Sequence, residues 1–540
     1  MNKQLSIFLA FVVCLSISAI SLHIDIPTAP TDIPTDPIDF PTDPTDIPTD
    51  PIDFPTDPID IPIDSTDIPI IPTEIPIDST DIPIDISLNE NTYYVSTTGD
   101  NNNPGTLTAP WRTISHGVAH IAAGDTLYIR GGTYQEMVHI VVDGTASNPI
   151  MISDYPGEAV IVDGKGNTLP AHGSGAYLVR IDGDYLTFSN MTVQDSGEHG
   201  IGVFGSHSTI AYLTIHGNWR RGAGLGGDYE TAEYLDVHDN VMVNYQGSTG
   251  QDPTALTAGR SPNYAIIRHC SVYRNWGIGL STYESTHTIM EDNISYDNYS
   301  NNIYISDATD VLFQRNLIYS TGFMDAYGGT PQTGIALWDE IYNPASARIT
   351  IVNNLVYGTK HCLQWLSGPL QEGSGMNQVL IANNTFVNST KESCIYIKAS
   401  PIHYNTSFKN NIVVQENNLP TIIVSASSGL HFSNNLWSKT PVAAAQGTGD
   451  IIGDPMLAKT NTFDNPLWFQ LLSGSPAIDR AVVLEEVIDD YWQNPRGASP
   501  DMGANEYQGV LLPTPTNTGL SLVTKTATMT QSPTASPSPT

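Results

Sequence analysis

Short apolar stretches of about four residues recur along the chain, and turn-forming residues such as asparagine and glycine bound each of them. The phrase N-I-S-Y begins at Asn293, and N-L-I-Y begins at Asn316, 23 residues later. Apolar and polar residues alternate within each stretch, which is typical of a β-strand with one buried face. Three such strands in each period of about 23 residues predict a solenoid in which every strand pairs with its copy in the next coil.

One turn position recurs in ten successive coils, and a second one follows it five residues later. An asparagine there can hydrogen-bond the turn backbone and the asparagine of the next coil, and it tolerates left-handed backbone angles. The sequence therefore predicts an all-β parallel β-helix with asparagine ladders at its corners. The first column is Asn190, Leu213, Leu235, Cys270, Asn293, Asn316, Asn354, Asn384, Asn411 and Asn435, and the second is Asn218, Asn240, Asn275 and Asn298.

The two ends of the chain differ from the repeat region. Residues 1–21 have one basic residue, an apolar core and small residues before a cleavage point, which predicts a signal peptide and a secreted or cell-surface protein. Residues 22–90 are rich in proline; within 25–90 there are 17 acidic residues and no Lys or Arg, which predicts an extended spacer. Residues 511–540 form a tail rich in Ser, Thr and Pro.

Charge and cysteine content narrow the choice of partners. Residues 91–510 hold 39 acidic residues against 19 Lys plus Arg, a net charge near −20. This sign argues against nucleic acid and anionic membranes as partners, and no later segment is apolar enough to insert into a membrane. Cys362 and Cys394 occupy the same position of adjacent coils, so we consider a disulfide between them.

Two terminal stretches carry a resemblance to a known family. The opening YYVSTTGDNNNPGTLTAPWRTISHG and the closing LLSGSPAIDRA…PDMGANEY look like the ends of right-handed parallel β-helix proteins of the pectate-lyase-like type. The resemblance covers about 91–510. It implies an N-terminal cap (91–165) with a helix from Trp111 to Ile121 and a C-terminal cap (436–510). We expect a monomer whose partner is a polysaccharide.

The resemblance also implies where a substrate groove would lie, namely on the sheet that follows the long third-turn loops. Its outward positions form two predicted columns. Aromatic faces stack on sugar rings, so Tyr304, Trp338 and Tyr396 are predicted to bind substrate together with Lys398 and Tyr327. The first column is Gly202, Gly279, Tyr304, Ala336, Gln364 and Tyr396, and the second is Phe204, Thr257, Ser281, Ser306, Trp338, Leu366 and Lys398.

Acidic residues at the edge of this strip suggest chemistry. Alignment of ISDAT with LWDEI places Asp307 directly below Asp339, one strand spacing of about 4.8 Å away. With Glu340, these carboxylates are candidate catalytic residues, because a pair about 5 Å apart suits retaining glycoside hydrolysis. Alternatively, Asp307, Asp339 and Asp325 are candidate Ca²⁺ ligands. Solvated turn aspartates are the third interpretation.

The catalytic motifs of related enzymes do not carry over to this chain. Lysine, a common base in such lyases, is absent between Lys165 and Lys360, and the aspartate-rich calcium motif is missing. Two functions therefore stay open. The first and preferred one is a polysaccharide lyase or glycoside hydrolase acting on acidic or plant-type polysaccharide. The second is a non-catalytic extracellular protein that binds glycan or mediates adhesion.

Overall fold

The computed structural model describes residues 91–247, 254–259, 264–327, 333–340, 345–367, 375–397, 403–425, 427–460 and 462–509. The predicted signal peptide, spacer and C-terminal tail lie outside these residues. Within them, the chain winds into three parallel sheets of 13, 13 and 11 strands, each strand pairing with strands of the neighbouring coils. The predicted parallel β-helix is confirmed. No helix among the described residues is long and apolar enough to cross a membrane.

The three sheets are named A, B and C in the order in which each coil visits them. Sheet A contains Thr92–Val95, Thr126–Ile129, Ile150–Asp154, Leu186–Ser189, Thr209–Ala211, Thr231–Glu233, Ile266–Arg268, Ile289–Glu291, Thr309–Gln314, Ala347–Val352, Leu380–Ala382, Thr406–Lys409 and Leu430–Ser433. Sheet B contains Gly132–Tyr134, Val160–Asp163, Thr192–Gln194, Thr214–His216, Asp236–His238, Ser271–Tyr273, Ile294–Tyr296, Leu317–Tyr319, Leu355–Tyr357, Thr385–Val387, Ile412–Val414, Leu436–Trp437 and Ile451–Ile452. Sheet C contains Val138–Ile140, Tyr177–Ile181, His199–Val203, Ala223–Leu225, Thr254–Gly259, Ile278–Tyr283, Asn301–Ser306, Thr333–Asp339, Leu363–Ser367, Ile395–Ile397 and Ile422–Val424.

Coils stack in exact register, so inward side chains form apolar columns. In sheet B, for example, Ile215 lies opposite Val237, which lies opposite Val272, and all three are fully buried. The three sheets enclose one continuous core of such residues. Burial of apolar surface by stacking supplies the main driving force, and no single coil could bury its own inner face.

The corner between sheets A and B carries the predicted asparagine ladder. The Asn316 side chain accepts hydrogen bonds from the backbone N–H and side-chain amide of Asn293, each at 3.0 Å, and donates to Asn354 Oδ1 at 3.0 Å. The same pattern continues through Asn384 to Asn411. A second ladder links Asn218, Asn240, Asn275 and Asn298 at the corner between sheets B and C. Buried turn amides are thereby satisfied from coil to coil.

The first column is displaced by one residue at its start. Buried Met191, rather than Asn190, precedes the sheet B strand and lies below Leu213, whose strand bonds back to the Met191 carbonyl through Thr214. Asn190 is exposed, has a left-handed backbone (φ 60°), and bonds Ser153 instead. Both residues suit a corner, which is why sequence alignment confused them.

The N-terminal cap helix is shorter than the predicted Trp111–Ile121 and spans Ile114–Val118. Thr113 caps the N-terminus of this helix: its backbone is extended, and its side-chain hydroxyl accepts the His116 N–H at 3.2 Å. Trp111, Ile114, Val118 and Ile121 nevertheless all reach the main core. Short 3₁₀ helices occupy Met242–Gly247, Phe323–Tyr327, Ala443–Ala445 and Pro466–Phe469.

The C-terminal segment docks on the corner of sheets A and B through a buried arginine. The Arg496 guanidinium donates to the carbonyls of Asp489, Asp501 and Gly503 and to Asn353 Oδ1 at 2.9 Å, and it lies 3.2 Å from Glu506. Every donor therefore has an acceptor, which is what a buried guanidinium requires. Cys362 and Cys394 lie side by side with their Sγ atoms 2.9 Å apart, but the structure holds both as free thiols, without the disulfide considered above.

The asparagine ladder should be sensitive to loss of a single amide. Asn316→Ala leaves the Asn293 N–H and amide without their acceptor, so we expect the free energy of unfolding to fall by about 3 kcal/mol. Asn418→Ala, an exposed asparagine in a turn, should change it by less than about 0.5 kcal/mol. Urea denaturation followed by circular dichroism measures both, and equal midpoints for the two variants would contradict the ladder's role.

Buried Glu230 should make stability fall with rising pH. Burial raises its pKa to about 9, and the backbone N–H groups of Gly227 and Gly226 offset burial only in part. The folded state therefore favours the protonated acid: this contribution is fully present below pH 4.5 and is lost as the pH rises toward 9.

At pH 7 folding must protonate Glu230, which is ionised in the unfolded chain, and this lowers the free energy of unfolding by roughly 3 kcal/mol. Glu230→Gln removes this penalty. We expect this variant to match the wild type near pH 4 and to exceed its stability at pH 7 by that amount. Urea midpoints at both pH values measure the difference. The two proteins share all other carboxyl groups. A stability difference between them that is the same at pH 4 and pH 7 would therefore contradict the raised pKa of Glu230.

Candidate functional site

The outward face of sheet C is the surface that the sequence singled out, but its columns differ from the predicted ones. Tyr304 lies opposite Ser281, and Ser281 lies opposite Thr257. Gly279 is therefore not in the Tyr304 column, and Thr257 and Ser281 are not in the Trp338 column. Alternation repeats every two residues, so a shift of two residues, as between Gly279 and Ser281, leaves the pattern unchanged.

Tyr304, Trp338 and Glu340 come together as predicted. The rings of Tyr304 and Trp338 are 6.4 Å apart and tilted, and the Tyr304 hydroxyl donates to Glu340 Oε1 at 2.6 Å. The Tyr304 and Trp338 side chains form a small apolar cluster with Ile278 and Ala336, separate from the main core. Tyr304 is only 5% exposed, Trp338 is half-buried and Glu340 is exposed. Trp338 and Glu340 are thus the members of this cluster that a ligand can reach.

Asp307 and Asp339 lie in adjacent coils, since the strands pair Ser306 with Trp338 immediately before them. Both carboxylates are buried and accept backbone hydrogen bonds: Asp307 from Glu340 N–H at 3.1 Å, and Asp339 from Ser346 and Gly375 N–H at 2.8 and 3.0 Å. Burial, with a smaller contribution from the Asp307 charge, raises the pKa of Asp339. This geometry holds successive turns together, and neither carboxylate faces solvent.

The remaining predicted site residues are dispersed. Tyr327 packs on Trp276, with ring centroids 5.0 Å apart, in a cluster beside the 3₁₀ helices. Asp325 is exposed and lines a cavity next to sheet B. Tyr396 stacks on buried His361 at 4.8 Å. Lys398 lies outside the described residues.

A calcium site built from Asp307, Asp339 and Asp325 does not fit this arrangement. The described residues contain no group of three or more acidic, histidine or cysteine side chains placed to hold one ion. Two of the three carboxylates are already engaged by backbone N–H groups, and Asp325 belongs to another surface.

A second group of side chains occupies the first coils of sheet C. We name it the arginine patch: Tyr177, Arg180, His199, Phe204, Arg220 and Arg221. Glycines give it a flat floor, because a Cβ on Gly202 would collide with the Tyr177 and Phe204 rings, and one on Gly224 would collide with the Arg221 side chain. Neighbouring side chains can therefore lie across the strands.

Charge in the arginine patch is positive although the domain is acidic. The Arg180 guanidinium lies 4.4 Å from the centre of the Phe204 ring and bonds Asp182 at 2.8 Å, while Arg220 lies 3.2 Å from Glu198. The charges of Arg221 and Arg220 act on the neighbouring His199 ring. Guanidinium groups held over aromatic rings are pre-organised for planar, bidentate binding of carboxylates.

His199 is the titratable residue at the centre of the arginine patch. Its ring stacks on Tyr177 at 4.9 Å, and the Arg221 carbonyl accepts the N–H of the following residue, Gly200. Burial and the charges of Arg221 and Arg220 lower the pKa of His199 to about 4. The imidazole is therefore neutral at neutral pH and can accept a proton.

Other aromatic columns are self-contained. His216, His238, Tyr273, Tyr296 and Tyr319 stack along sheet B with ring centroids 4.6 to 5.1 Å apart. Each ring face is covered by the next ring, so a sugar could reach only their edges.

Sequence reasoning missed the arginine patch. It searched for lysine as a base, and it concentrated on the coils with insertions. The sequence does contain a signal for it: the pair RR at 220–221 lies one period after EHG at 198–200, in a region otherwise poor in basic residues.

The fold is that of a right-handed parallel β-helix, and part of the chain is similar to a pectate-lyase-like family. Residues 93–298 match the family model described as Pel9A-like, right handed beta helix region. A solved structure, the complex of XylC with xylose, superposes with a TM-score of 0.54 at 11% identity, covering 78% of this chain and 98% of that chain.

Two curated relatives match short stretches. Pectate lyase PEL9 of Emericella nidulans is 43% identical over 74 residues, which are 13% of this chain and 18% of that protein. The uncharacterized protein YwoF of Bacillus subtilis (strain 168) is 36% identical over 103 residues, 19% of this chain and 22% of that protein. The chain thus spans about a fifth of the length of the curated relatives it matches.

The low pKa of His199 can be measured directly. We expect its ring to titrate near pH 4 in the folded protein, and to titrate at higher pH in Arg221→Gln because one neighbouring positive charge is removed. The shift should stop short of the ordinary value, since burial is the larger cause. NMR of the ring carbons, assigned with a His199→Gln variant, measures it.

The matched control is Arg348→Gln, an ion-paired arginine in the sheet A strand Ala347–Val352 with half of its side chain exposed. It should leave the His199 titration unchanged. Titration of His199 near pH 6.5 in the wild type would show that the ring is not surrounded as described.

Proposed function

We propose that the protein is a secreted, monomeric, carbohydrate-active protein that binds an acidic polysaccharide along the outward face of sheet C. The observation that carries this proposal is the arginine patch, in a domain of net charge near −20. Arg180 lies over the Phe204 ring there, and the charges of Arg220 and Arg221 act on His199. Only a ligand with negative groups makes such a concentration of guanidinium useful. The match to a Pel9A-like family model and to a stretch of a pectate lyase supports the same substrate class.

Lyase-type β-elimination is the reaction that this patch suits best. In that reaction a base removes the C5 proton of a uronate, the C4–C5 double bond forms, and the C4–O4 bond breaks as the departing oxygen takes up a proton. Removal of the proton requires that the adjacent carboxylate be neutralised. In the proposed assignment Arg221 and Arg220 bind that carboxylate, and neutral His199 accepts the proton.

Hydrolysis receives less support from the predicted carboxylates. A glycoside hydrolase needs two carboxyl groups that face the scissile bond. Asp307 and Asp339 are buried against backbone N–H groups, which leaves exposed Glu340 without a second exposed carboxylate among the predicted three. In our proposal, Trp338 and Glu340 instead contact sugar units further along the same face, and buried Tyr304 holds Glu340 in place through its hydroxyl.

Non-catalytic glycan binding is the second candidate, and one observation favours it. A base whose pKa is about 4 is weak, and lysine is absent from residues 166–359, where a stronger base would be expected. The same patch would then only hold the polymer, on an exported chain with a long acidic spacer. Whether binding or cleavage requires Ca²⁺ is tested in the following experiment by adding or omitting the ion.

The decisive experiment measures binding and cleavage separately. Polygalacturonate, alginate and a neutral glucan are incubated with the protein, with and without Ca²⁺, and unsaturated ends are followed by ultraviolet absorbance and binding by calorimetry. We expect Arg221→Gln to weaken binding of the uronate polymer about tenfold or more, because a charge-assisted bond is lost. We expect His199→Gln to retain binding but lose cleavage by about 100-fold or more.

Arg348→Gln, whose arginine is paired with Asp310 on sheet A and away from this face, is the control and should behave as the wild type. Binding without cleavage, still weakened in Arg221→Gln, would favour the glycan-binding candidate. Absence of uronate binding, or equal binding by both arginine variants, would reject the proposal as a whole.

A further inference from the structure

A cavity of about 440 Å³ lies outside the face described above, where the turns between sheets B and C meet the C-terminal segment. One wall is formed by Ser320, Thr321 and Gly322 together with Asp325 of the 3₁₀ helix Phe323–Tyr327. The opposite wall contains Glu416 and Asn417. None of its lining residues belongs to sheet C. Its volume is that of a small-molecule site.

Hydrogen-bonding groups line most of this cavity. Thr321 and Thr390 are exposed; their hydroxyls donate to Asp297 and to the Thr359 carbonyl, so toward a ligand they act as acceptors. Asn388 and Asn417 contribute amides. Asn388 is fixed by a double contact with Glu416: its amide donates to the carboxylate at 2.7 Å, and its oxygen accepts the Glu416 N–H at 2.8 Å. Mixed donors and acceptors of this kind match the paired hydroxyls of a sugar.

An aromatic pair forms another part of the wall. Tyr357 and Phe463 stack with ring centroids 4.4 Å apart and planes 8° apart, and Trp468 supports them edge-on at 5.1 Å from Tyr357. Phe463 belongs to the C-terminal segment, so docking of that segment completes the site. Rigid rings of this type supply apolar contact to the C–H surface of a bound sugar.

Charge in this cavity has the opposite sign to that of the arginine patch. Asp325 and Glu416 are the charged residues among those lining it. Lys459 bonds Glu416 at 2.5 Å, and this bond lowers the pKa of Glu416, so that the carboxylate stays ionised. A uronate would be repelled here, whereas an uncharged sugar can donate its hydroxyls to both carboxylates.

The cavity extends over four successive coils, represented by Thr321, Gly358, Thr390 and Glu416. At about 4.8 Å per coil the lined length is roughly 15 Å, enough for more than one sugar unit. We propose that this cavity is a second carbohydrate site and that it takes a neutral oligosaccharide. The site is independent of the sheet C proposal, because the two share no residue.

Calorimetry with neutral hexasaccharides tests this assignment. The probes are cellohexaose, xylohexaose and mannohexaose, with hexagalacturonate as the charged comparison. We expect at least one neutral probe to bind, and Asp325→Ala and Asn417→Ala each to weaken that binding tenfold or more. Asp325 is exposed, so the melting temperature of Asp325→Ala should stay within about 2 °C of the wild type. Asn417→Ala should lower it further, because the Asn417 side chain also bonds Ser389 and Leu419. Thr390→Trp, which fills the cavity, should abolish binding.

Arg221→Gln is the matched control, since it removes a charge from the other face and should leave neutral-sugar binding unchanged. The proposal is overturned if no neutral probe binds, or if binding survives in Asp325→Ala and Thr390→Trp. It is also overturned if Arg221→Gln abolishes neutral-sugar binding, which would place that site on sheet C. Tighter binding of hexagalacturonate than of any neutral probe, lost in Asp325→Ala, would refute the ligand class.

Discussion

The structure depends on one constraint: every coil must satisfy the buried backbone of the coil beside it. Strand hydrogen bonds do this along the three sheets, and at two corners the asparagine ladders do it through side-chain amides. An amide suits this position because it both donates and accepts, so one residue type can be repeated indefinitely. Leu213, Leu235 and Cys270 replace asparagine in three adjacent coils and are all buried. Of these three, Cys270 borders the asparagine ladder, and its backbone N–H donates to Asn293 Oδ1.

This constraint explains where the chain can vary. The corner between sheets A and B must stay tight, because the ladder would break if the turn grew longer. The turns between sheets B and C accept additional residues, and the 3₁₀ helices Met242–Gly247 and Phe323–Tyr327 both lie there. Candidate binding residues therefore accumulate on sheet C and beside these turns, while the C-terminal segment can dock against the invariant geometry of the tight corner through Arg496 and Asn353.

The sequence predicted the architecture well because the repeat reports it many times over. The periodic asparagines predicted both ladders, and alternation within strands correctly placed Ile303 and Ile305 inside and Tyr304 outside. A single error of register went undetected on sheet C, since small residues such as Gly279 and Ser281 fit either position. Asp307 and Asp339 were correctly predicted to be neighbours, but sequence could not show that backbone N–H groups surround them.

Tertiary contacts of low sequence regularity were beyond prediction. The arginine patch combines residues from three coils over glycines that look like ordinary turn formers in the sequence. The carboxylate-lined cavity needs Phe463, which lies 106 residues after Tyr357 and belongs to no repeat. Repetition therefore reveals what every coil shares, whereas binding sites are made by the residues in which coils differ.

The sign of charge separates the two candidate sites and also bears on how an acidic polymer would approach. A domain of net charge near −20 repels a polyuronate over distances comparable to the Debye length, about 10 Å at 0.1 M salt. The arginine patch attracts it only at contact, through guanidinium groups that aromatic rings hold in place. Salt weakens the long-range repulsion and the contact attraction together. Recognition in such a protein therefore rests on short-range geometry rather than on steering, which is consistent with a rigid, pre-formed face.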